Sequence, residues 1–335
     1  MAVCPSKWPG KVTNEAGELQ RPPSVFRNWV SREPGAEFPP ENGRYHLYVS
    51  YACPWAHRTL IVRQLKGLKD VIPYTSVHWH LEMDKGWRFA SPGEEVPGAN
   101  TVPDPLHPDY TRISEIYLKA DPGYSGRFTV PVLYDTKTQK IVSNESSEII
   151  RMLYYEFDDL LAEEYRAVDL FPPRLRSTIE EINEWTYDDI NNGVYKAGIA
   201  TTQEAYEKAV KQVFVALDRV EDHLAHSGRY YFGDAITEAD VRLYPTIVRF
   251  DVVYVQHFKC NLRDIRSGYP AIHAWLRRLY WDVPAFGETT EFYHIKNHYM
   301  KSHLPINPYS ITALGPEPHI LPKDADVPAV EAAKL

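Results

Sequence analysis

The sequence predicts an α/β domain followed by an all-helical domain, and three features support this division. Strand-like and helix-like segments alternate from residue 44 to about residue 160. From about residue 170 to residue 303, the apolar spacing is helical. A length of 335 residues suits two cores of ordinary size with extensions at both ends. We therefore expect domains over residues 44–160 and 170–303, with the junction between residues 158 and 172.

The first strand and the first helix are predicted within residues 45–65. Residues 45–50 alternate and include aromatic side chains, which is typical of a strand. Pro54 suits the first turn of a helix, where its missing N–H is not needed. Apolar residues then recur at helical spacing up to Leu65. This arrangement of strand, tight turn and helix places Cys53 at the N-terminus of the helix.

The rest of the first domain completes the order βαβαββα. We expect a strand over residues 72–79 and a short helix over residues 113–120. Two strands joined by a tight turn follow, within residues 127–143, and then a helix that Glu145 and Ser146 open. This order is the layout of a thioredoxin-like domain. Residues 81–108 form a long stretch with several prolines, which we interpret as an insertion.

The second domain is predicted from helical patterns. An apolar stripe from Tyr206 to Leu224 indicates one long amphipathic helix. Thr237 and Asp240 are expected to form a capping pair before another apolar run, with Asp in the place usually held by Glu or Gln. Residues 1–43 and 304–335 contain many prolines, so we expect irregular extensions at both ends.

Composition excludes several classes of function. The net charge is -8 and no basic stripe is present, so nucleic acid is not expected as a partner. No run of 18 apolar residues and no apolar signal core occur, which predicts no membrane association and a cytoplasmic location. Cys4, Cys53 and Cys260 are too widely spaced for a disulfide framework or a zinc site. The 23 tyrosines and 8 tryptophans suit ordinary packing or a site for flat ligands, and composition does not decide between the two.

Cys53 is the candidate nucleophile. A free thiol has a pKa of ~8.5, and the partial positive charge at a helix N-terminus lowers it. The motif C-P-W-A has Ala56 where a dithiol motif has its second cysteine, so an oxidised Cys53 needs an external thiol such as glutathione. The alternative is a small buried cysteine without chemistry, which the context of a strand, Cys-Pro and a helix disfavours.

Two further segments suggest a site for an extended peptide. Pro131 lies between strand-like stretches, which suits a cis proline that leaves the Val130 backbone available for pairing, or an ordinary turn proline. Glu145 and Ser146 open a helix, whose N–H groups and serine hydroxyl can bind a carboxylate. Glu145 can pair with an amine, and a γ-glutamyl group carries both. Simple capping by Asn144 or Ser143 explains this segment equally well.

Together these features resemble the glutathione transferase superfamily, with C-P-W-A-H-R at 53–58, the V-P step, the E-S pair and the Thr237–Asp240 capping pair. Longer runs are similar to its Xi class, the glutathionyl-hydroquinone reductases: D-K-G-W-R-F at 84–89, N-N-G-V-Y-K-A-G at 191–198, R-F-D-V-V-Y-V-Q-H-F-K-C-N at 249–261 and H-I-K-N-H-Y at 294–299. The resemblance spans about residues 40–320. The omega class usually has C-P-F-A and lacks the later runs. Tyr134 departs from the pattern, since Trp is expected there.

The resemblance implies a role for each matched residue. Cys53 is the nucleophile, Trp87 lies against glutathione and Arg127 meets its glycine carboxylate. The implied glutathione-binding residues are Trp87, Arg127, Val130, Glu145 and Ser146. The implied hydroquinone-binding residues are Tyr195, Tyr254 and Tyr299, and Tyr195 and Tyr299 are also candidate catalytic residues. From the residues alone, each tyrosine is more often a packing residue. His57 is expected to be a structural histidine, and the class implies a homodimer.

The resulting hypothesis is a glutathione-dependent reduction of glutathionyl-hydroquinones. Cys53 attacks the glutathione sulfur, the hydroquinone leaves, and a second glutathione resolves the mixed disulfide to give oxidised glutathione. Glutathione is the co-substrate, and no metal, flavin or nicotinamide is expected. The alternatives are an omega-like thioltransferase or dehydroascorbate reductase, and a non-catalytic carrier of flat aromatic ligands.

Overall fold

The computed structural model describes residues 13–83 and 85–325, which divide into two compact units. The first unit comprises residues 22–169 and 289–304. Of the described residues, the second unit comprises 13–21, 170–288 and 305–325. The boundary after residue 169 lies within the expected junction. Residues 289–304 belong to the first unit, whereas the sequence predicts residues 289–303 in the helical domain. Cys4 lies outside the described residues.

The first unit is built on a four-stranded mixed sheet. Its elements are β1 (Tyr45–Val49), α1 (Pro54–Leu65), β2 (Tyr74–Ser76), β3 (Leu81–Glu82), β4 (Gly86–Trp87), α2 (Ile113–Ala120), β5 (Val132–Asp135), β6 (Lys140–Ser143), α3 (Ser146–Tyr155) and α4 (Glu163–Arg166). The strand order is β2-β1-β5-β6, with β1 parallel to β2 and antiparallel to β5, and β5 antiparallel to β6. Every residue of β1 is buried, and α1 packs on α3. The predicted α/β fold with its βαβαββα order is confirmed.

Two details of this unit differ from the prediction. The second strand covers residues 74–76 rather than 72–79, because the Ile72 N–H closes the turn after α1 by donating to the Leu68 carbonyl. The predicted insertion contains the short antiparallel pair β3–β4, hereafter the ribbon. The ribbon follows β2 in the sequence. A hydrogen bond from the His78 N–H to the Arg88 carbonyl joins the two segments that flank the ribbon.

The second unit is helical, and one further helix returns to the first unit. The second unit contains α5 (Arg176–Thr186), α6 (Gly193–Ile199), α7 (Gln203–Leu224), α8 (Glu238–Arg249), α9 (Ile265–Gly268), α10 (Pro270–Asp282) and α11 (Pro284–Gly287). Helix α12 (Phe292–Ser302) belongs to the first unit. The predicted stripe on α7 is buried from Val210 to Leu224, which confirms that helix. In the described ranges, no helix is both long enough and apolar enough to cross a bilayer.

The predicted capping pair at the start of α8 is confirmed and has a wider role. The Thr237 N–H and Oγ1 both donate to Asp240 Oδ2, at 2.9 and 3.1 Å. Asp240 Oδ1 accepts from the Tyr231 N–H at 2.9 Å and from Trp275 Nε1 at 2.8 Å. Burial raises the pKa of Asp240, and these donors offset part of the cost of burying a carboxylate. One side chain thus ties the preceding loop and α10 to α8.

The buried His46 makes the free energy of unfolding depend on pH. His46 on β1 is 3% exposed and its Nε2 is hydrogen-bonded to Thr75 Oγ1 at 2.9 Å. Burial, helped by the charge of Arg63, lowers the pKa of His46 to about 4. The ordinary value of about 6.5 applies to the unfolded chain. Between these values the unfolded chain binds a proton that the folded chain does not, so acidification reduces the free energy of unfolding.

We predict that the variant His46→Gln has a shallower pH dependence of stability than the parent chain. Urea unfolding between pH 7 and pH 5 should show a slope reduced by up to about 1.4 kcal/mol per pH unit, the maximum for one proton. Other groups titrate equally in both proteins, so the difference between the two slopes reports on His46. An identical slope in the two proteins would show that folding does not lower the pKa of His46.

Candidate active site

The Cys53 thiol lies at the N-terminus of α1. Cys53 is the N-cap residue with φ -80° and ψ 119°, and Pro54 is the first helical residue, as predicted. The Cys53 carbonyl accepts from the His57 N–H at 3.0 Å and closes the first turn. The side chain is half-buried, and its Sγ donates to the Val130 carbonyl at 3.4 Å. The thiol is therefore in the field of the helix N-terminus, where the thiolate is stabilised.

The loop that contains Val130 is held from the opposite side. The peptide bond between Val130 and Pro131 is cis, which confirms the prediction. The Tyr117 hydroxyl donates to the Thr129 carbonyl at 2.8 Å and accepts from Asn144 Nδ2 at 3.1 Å. Burial raises the pKa of Tyr117, so its hydroxyl stays protonated as a donor. These bonds fix the loop that faces Cys53.

Glu145 is the N-cap residue of α3, which settles one of the alternatives raised by the sequence. Its Oε1 accepts from the Ser147 N–H at 3.1 Å and from Ser147 Oγ at 2.9 Å. Its Oε2 accepts from Ser24 Oγ at 2.9 Å. Burial alone would raise the pKa of Glu145, but these hydrogen bonds and the charge of Arg58 hold it below its usual value. Capping by the two preceding residues is therefore wrong, because the carboxylate of Glu145 itself caps the helix.

Ser146 presents a buried hydroxyl at the same helix N-terminus. Its side chain is 2% exposed, and among the described residues no group hydrogen-bonds to its Oγ. A buried hydroxyl without a partner is costly, and such groups in native proteins call for a specific explanation. Next to the N–H groups of α3, this hydroxyl is suited to donate to the carboxylate of a ligand.

The sheet topology brings these two helix N-termini to one edge. Strand β1 is antiparallel to β5, and β5 is antiparallel to β6, so β1 and β6 run in the same direction. Helix α1 follows β1 and helix α3 follows β6, so both helices begin at the same edge of the sheet. Cys53 and Ser146 therefore lie at one edge, each beside the positive end of a helix.

The other two predicted glutathione residues also lie in the first unit, Trp87 on β4 and Arg127 in the loop before β5. Trp87 on β4 is 7% exposed, and its indole stacks on the His298 imidazole of α12, with ring centroids 4.8 Å apart. His298 Nδ1 also donates to the Trp79 carbonyl at 3.0 Å, so α12 fastens the ribbon. Arg127 is exposed, and its carbonyl accepts from the Tyr124 hydroxyl at 2.8 Å.

The three predicted hydroquinone tyrosines fall in two places. Tyr195 and Tyr254 meet in the second unit, with ring centroids 6.1 Å apart. Phe258 stacks on Tyr254 at 5.4 Å and meets the Tyr195 ring edge-on at 5.1 Å. Tyr254 is fully buried, whereas Tyr195 is half-buried. Tyr299 lies on α12 in the first unit, next to the rings of its neighbour His298 and of His303.

The aromatic group in the second unit depends on a close helix contact. A Cβ atom on Gly198 of α6 would lie 2.1 Å from the Phe258 ring, so only glycine allows this approach. Two π-helical turns, Tyr187–Asn191 and Phe250–Tyr254, flank the contact. Such turns often occur at functional sites. The sequence runs at 191–198 and 249–261 overlap these turns, but their residues give no signal for π geometry.

His57 and Cys260 are both buried in the core. His57 is buried and its Nε2 is hydrogen-bonded to Thr289 Oγ1 at 2.9 Å, which confirms the expected structural histidine. Cys260 is fully buried, and burial raises the pKa of its thiol to about 12. Its thiol therefore stays protonated near neutral pH and is a poor nucleophile. Of the cysteines within the described ranges, Cys53 is the one suited to chemistry.

Comparisons with known proteins identify relatives over most of the chain. The family models described as "Glutathione S-transferase, N-terminal domain" and "Glutathione S-transferase, C-terminal domain" match residues 52–155 and 203–278. The chain is 54% identical over 310 residues to "Glutathione S-transferase omega-like 2" of Schizosaccharomyces pombe, covering 92% of this chain and 96% of that protein. It is 50% identical over 314 residues to "Glutathionyl-hydroquinone reductase YqjG" of Escherichia coli, covering 90% and 92%. The solved structure of "the Xi glutathione transferase ECM4 from Saccharomyces cerevisiae in complex with glutathione" aligns with a TM-score of 0.86 at 47% identity, over 92% of this chain and 99% of that one.

We predict that Gly198→Ala destabilises the second unit through the Phe258 ring. Adding a methyl group where no space exists costs about 1–3 kcal/mol of unfolding free energy, which urea unfolding can measure. In the background Phe258→Leu, which removes the ring, the same change should cost clearly less. An equal cost in both backgrounds would show that the Phe258 contact does not require glycine.

Proposed function

Because the chain belongs to the glutathione transferase superfamily and, within it, to the Xi class, we propose that it reduces glutathionyl-hydroquinones with glutathione. The observation that carries this proposal is the half-buried Cys53 thiol at the start of α1, in contact with the Val130 carbonyl. Ala56 stands where a dithiol motif has its second cysteine, so the thiol that regenerates Cys53 comes from solution. A relative with 50% identity is named for this activity.

The first unit offers complementary groups for each part of glutathione. The Val130 backbone pairs with the cysteinyl part and brings its sulfur to Cys53. The Ser146 hydroxyl and the N–H groups of α3 bind the γ-glutamyl carboxylate, while the ionised Glu145 pairs with the ammonium group. Trp87 lies against the tripeptide, and Arg127 meets the glycine carboxylate. A structure of a relative with 47% identity is described as a complex with glutathione.

The reaction proceeds in two nucleophilic displacements at sulfur. The Cys53 thiolate attacks the sulfur of the conjugate, an S–S bond forms, and the bond between sulfur and the aromatic carbon breaks. The electron pair of that bond remains on the ring carbon, which takes a proton and leaves as hydroquinone. Tyr195 and Tyr299 are the candidate donors of this proton, and Tyr254 helps to bind the ring. A second glutathione thiolate then attacks the mixed disulfide, which gives oxidised glutathione and restores the Cys53 thiolate.

An omega-like thioltransferase or dehydroascorbate reductase is the second candidate function. A relative with 54% identity carries the name omega-like, and the same Cys53 would serve either reaction. The two functions differ in the leaving group, which is an aromatic carbon in one case and a thiolate or ascorbate in the other. A homodimer and a cytoplasmic location are further proposals that rest on the resemblance to the Xi class and on the expected reduced thiols.

We predict that Cys53→Ser abolishes release of hydroquinone from glutathionyl-hydroquinone, with a loss of at least about 10³-fold in kcat/KM, because a serine hydroxyl cannot form the mixed disulfide. Chromatographic product analysis measures the rate, and intact-protein mass spectrometry should find a glutathione adduct only when Cys53 is present. Cys260→Ala is the matched control, since it removes a buried thiol that takes no part in the reaction. Full activity of Cys53→Ser would contradict the mechanism, and absence of the adduct from an active parent enzyme would do the same.

A second prediction separates the two candidate functions. Tyr195→Phe, Tyr254→Phe and Tyr299→Phe, made together, keep the rings but remove the hydroxyl groups that would bind and protonate the hydroquinone. Activity on glutathionyl-hydroquinone should fall about 10²-fold, the size expected for loss of a general acid. Reduction of the small mixed disulfide of glutathione and 2-mercaptoethanol should change less than about twofold, because a thiolate leaves without a proton donor. An equal loss on both substrates would contradict a special role for the tyrosines.

A further inference from the structure

A segment of the N-terminal extension pairs with the edge of the sheet in the first unit. We call residues 22–30 the strap. The Asn28 N–H donates to the Val142 carbonyl at 2.9 Å, and the Asn144 N–H donates to the Phe26 carbonyl at 3.1 Å. The prolines of residues 1–43 predict an irregular surface extension here. The structure instead shows a segment that follows β6 up to the start of α3.

The strap is also fastened to α3 by side chains. The Arg27 guanidinium pairs with the Glu148 carboxylate, with Nε donating to Oε2 at 2.7 Å. Trp29 Nε1 donates to Glu156 Oε1 at 3.2 Å. Val30 is fully buried. Four consecutive residues of the strap are thus held, from the ion pair of Arg27 to the buried Val30, and this fixes the position of the residues just before them.

Ser24 is the strap residue that reaches the proposed glutathione site. Its Oγ donates to Glu145 Oε2 at 2.9 Å. The other carboxylate oxygen of Glu145 is held by Ser147, so both oxygens are fixed. Oε1 already accepts two hydrogen bonds from Ser147, whereas Oε2 accepts one, from Ser24, and has a second acceptor position. The Ser24 bond therefore orients the carboxylate and leaves it able to accept from an ammonium group.

Phe26 of the strap contacts two tyrosines that hold the loop before β5. Its ring lies 5.6 Å from that of Tyr117 and 5.5 Å from that of Tyr124. These two tyrosines donate to the carbonyls of Thr129 and Arg127, respectively. The strap therefore packs against the two tyrosines that hold the loop containing Val130, and through Ser24 it reaches the N-terminus of α3.

We propose that Ser24 is a positioning residue for glutathione binding, acting through Glu145. This inference rests on the proposed function, in which Glu145 pairs with the γ-glutamyl ammonium group. The Ser24 hydroxyl stabilises the ionised carboxylate and holds its direction, so that binding does not have to order it. Loss of the hydroxyl weakens glutathione binding and leaves the chemistry at Cys53 unchanged.

The test compares three serine variants of the full chain by calorimetric titration with glutathione and by steady-state kinetics. Ser24→Ala should weaken glutathione binding about fivefold to tenfold and raise KM for glutathione by the same factor, with kcat unchanged within about twofold. Ser24→Thr keeps the hydroxyl and should bind like the parent chain. Ser31→Ala is the matched control, since Ser31 Oγ accepts from the Glu33 N–H at 3.1 Å and lies just beyond the strap. Equal affinity of Ser24→Ala and the parent chain would overturn the inference.

A double-mutant cycle with Glu145→Gln shows whether Ser24 acts through the carboxylate. In the Glu145→Gln background, Ser24→Ala should cause no further loss of glutathione affinity. Additive losses would overturn the inference, because Ser24 would then act by another route. A Glu145→Gln variant with unchanged affinity would instead refute the proposed glutathione site itself, so the two failures are distinguishable.

The pH dependence of binding gives a readout that a loss of general stability would not produce. Ser24 is one of the donors that keep the pKa of Glu145 below its usual value. Without this donor the carboxylate takes up a proton at higher pH. As the pH is lowered, the glutathione affinity of Ser24→Ala should therefore begin to decline at a higher pH than that of the parent chain. If the two affinities decline over the same pH range, the assignment is contradicted.

Discussion

The contact between the Cys53 thiol and the Val130 carbonyl is the constraint around which the first unit is organised. The two residues are 77 positions apart in the sequence and meet because β1 and β5 pair with Tyr48 opposite Val132. The chain leaves β1 through the turn that contains Cys53 and enters β5 at Val132, after Val130 and the cis Pro131. The register of this one strand pair therefore sets the distance between the nucleophile and the backbone that pairs with its substrate. A slip of one residue would turn every side chain of β5 to the other face of the sheet.

The same sheet supplies the electrostatics of the site. Because β1 and β6 run in one direction, the N-termini of α1 and α3 lie at one edge, and each offers partial positive charge. One helix stabilises a thiolate and the other is suited to a carboxylate. The helices also pack on each other, so their relative position is held by buried apolar side chains. Charge stabilisation and core packing are thus properties of the same two helices.

The sequence predicts the parts of the structure that local patterns encode. Helix α2 has the predicted bounds, and the cis Val130–Pro131 bond and the Thr237–Asp240 cap were also predictable, because proline and capping residues act over a few positions. The role of Ser24 was not predictable, since its contact with Glu145 spans 121 positions and a serine in an irregular segment carries no pattern. The π-helical turns and the grouping of Tyr195 with Tyr254 arise from packing between helices, which periodicity within one helix does not specify.

Helix α12 makes the first unit discontinuous along the chain. Trp87 lies under the His298 ring, and the Leu81 N–H donates to Ser302 Oγ at 3.0 Å. His298 follows Trp87 by 211 positions, so the ribosome adds more than two hundred residues after Trp87 before the stacking partner of Trp87 exists. The sheet can form early, but the ribbon cannot acquire its stacking partner until almost the whole chain has been made. The proposed glutathione pocket is therefore completed only late in synthesis. In a chain that ends before α12, Trp87 lacks the His298 ring that stacks on it.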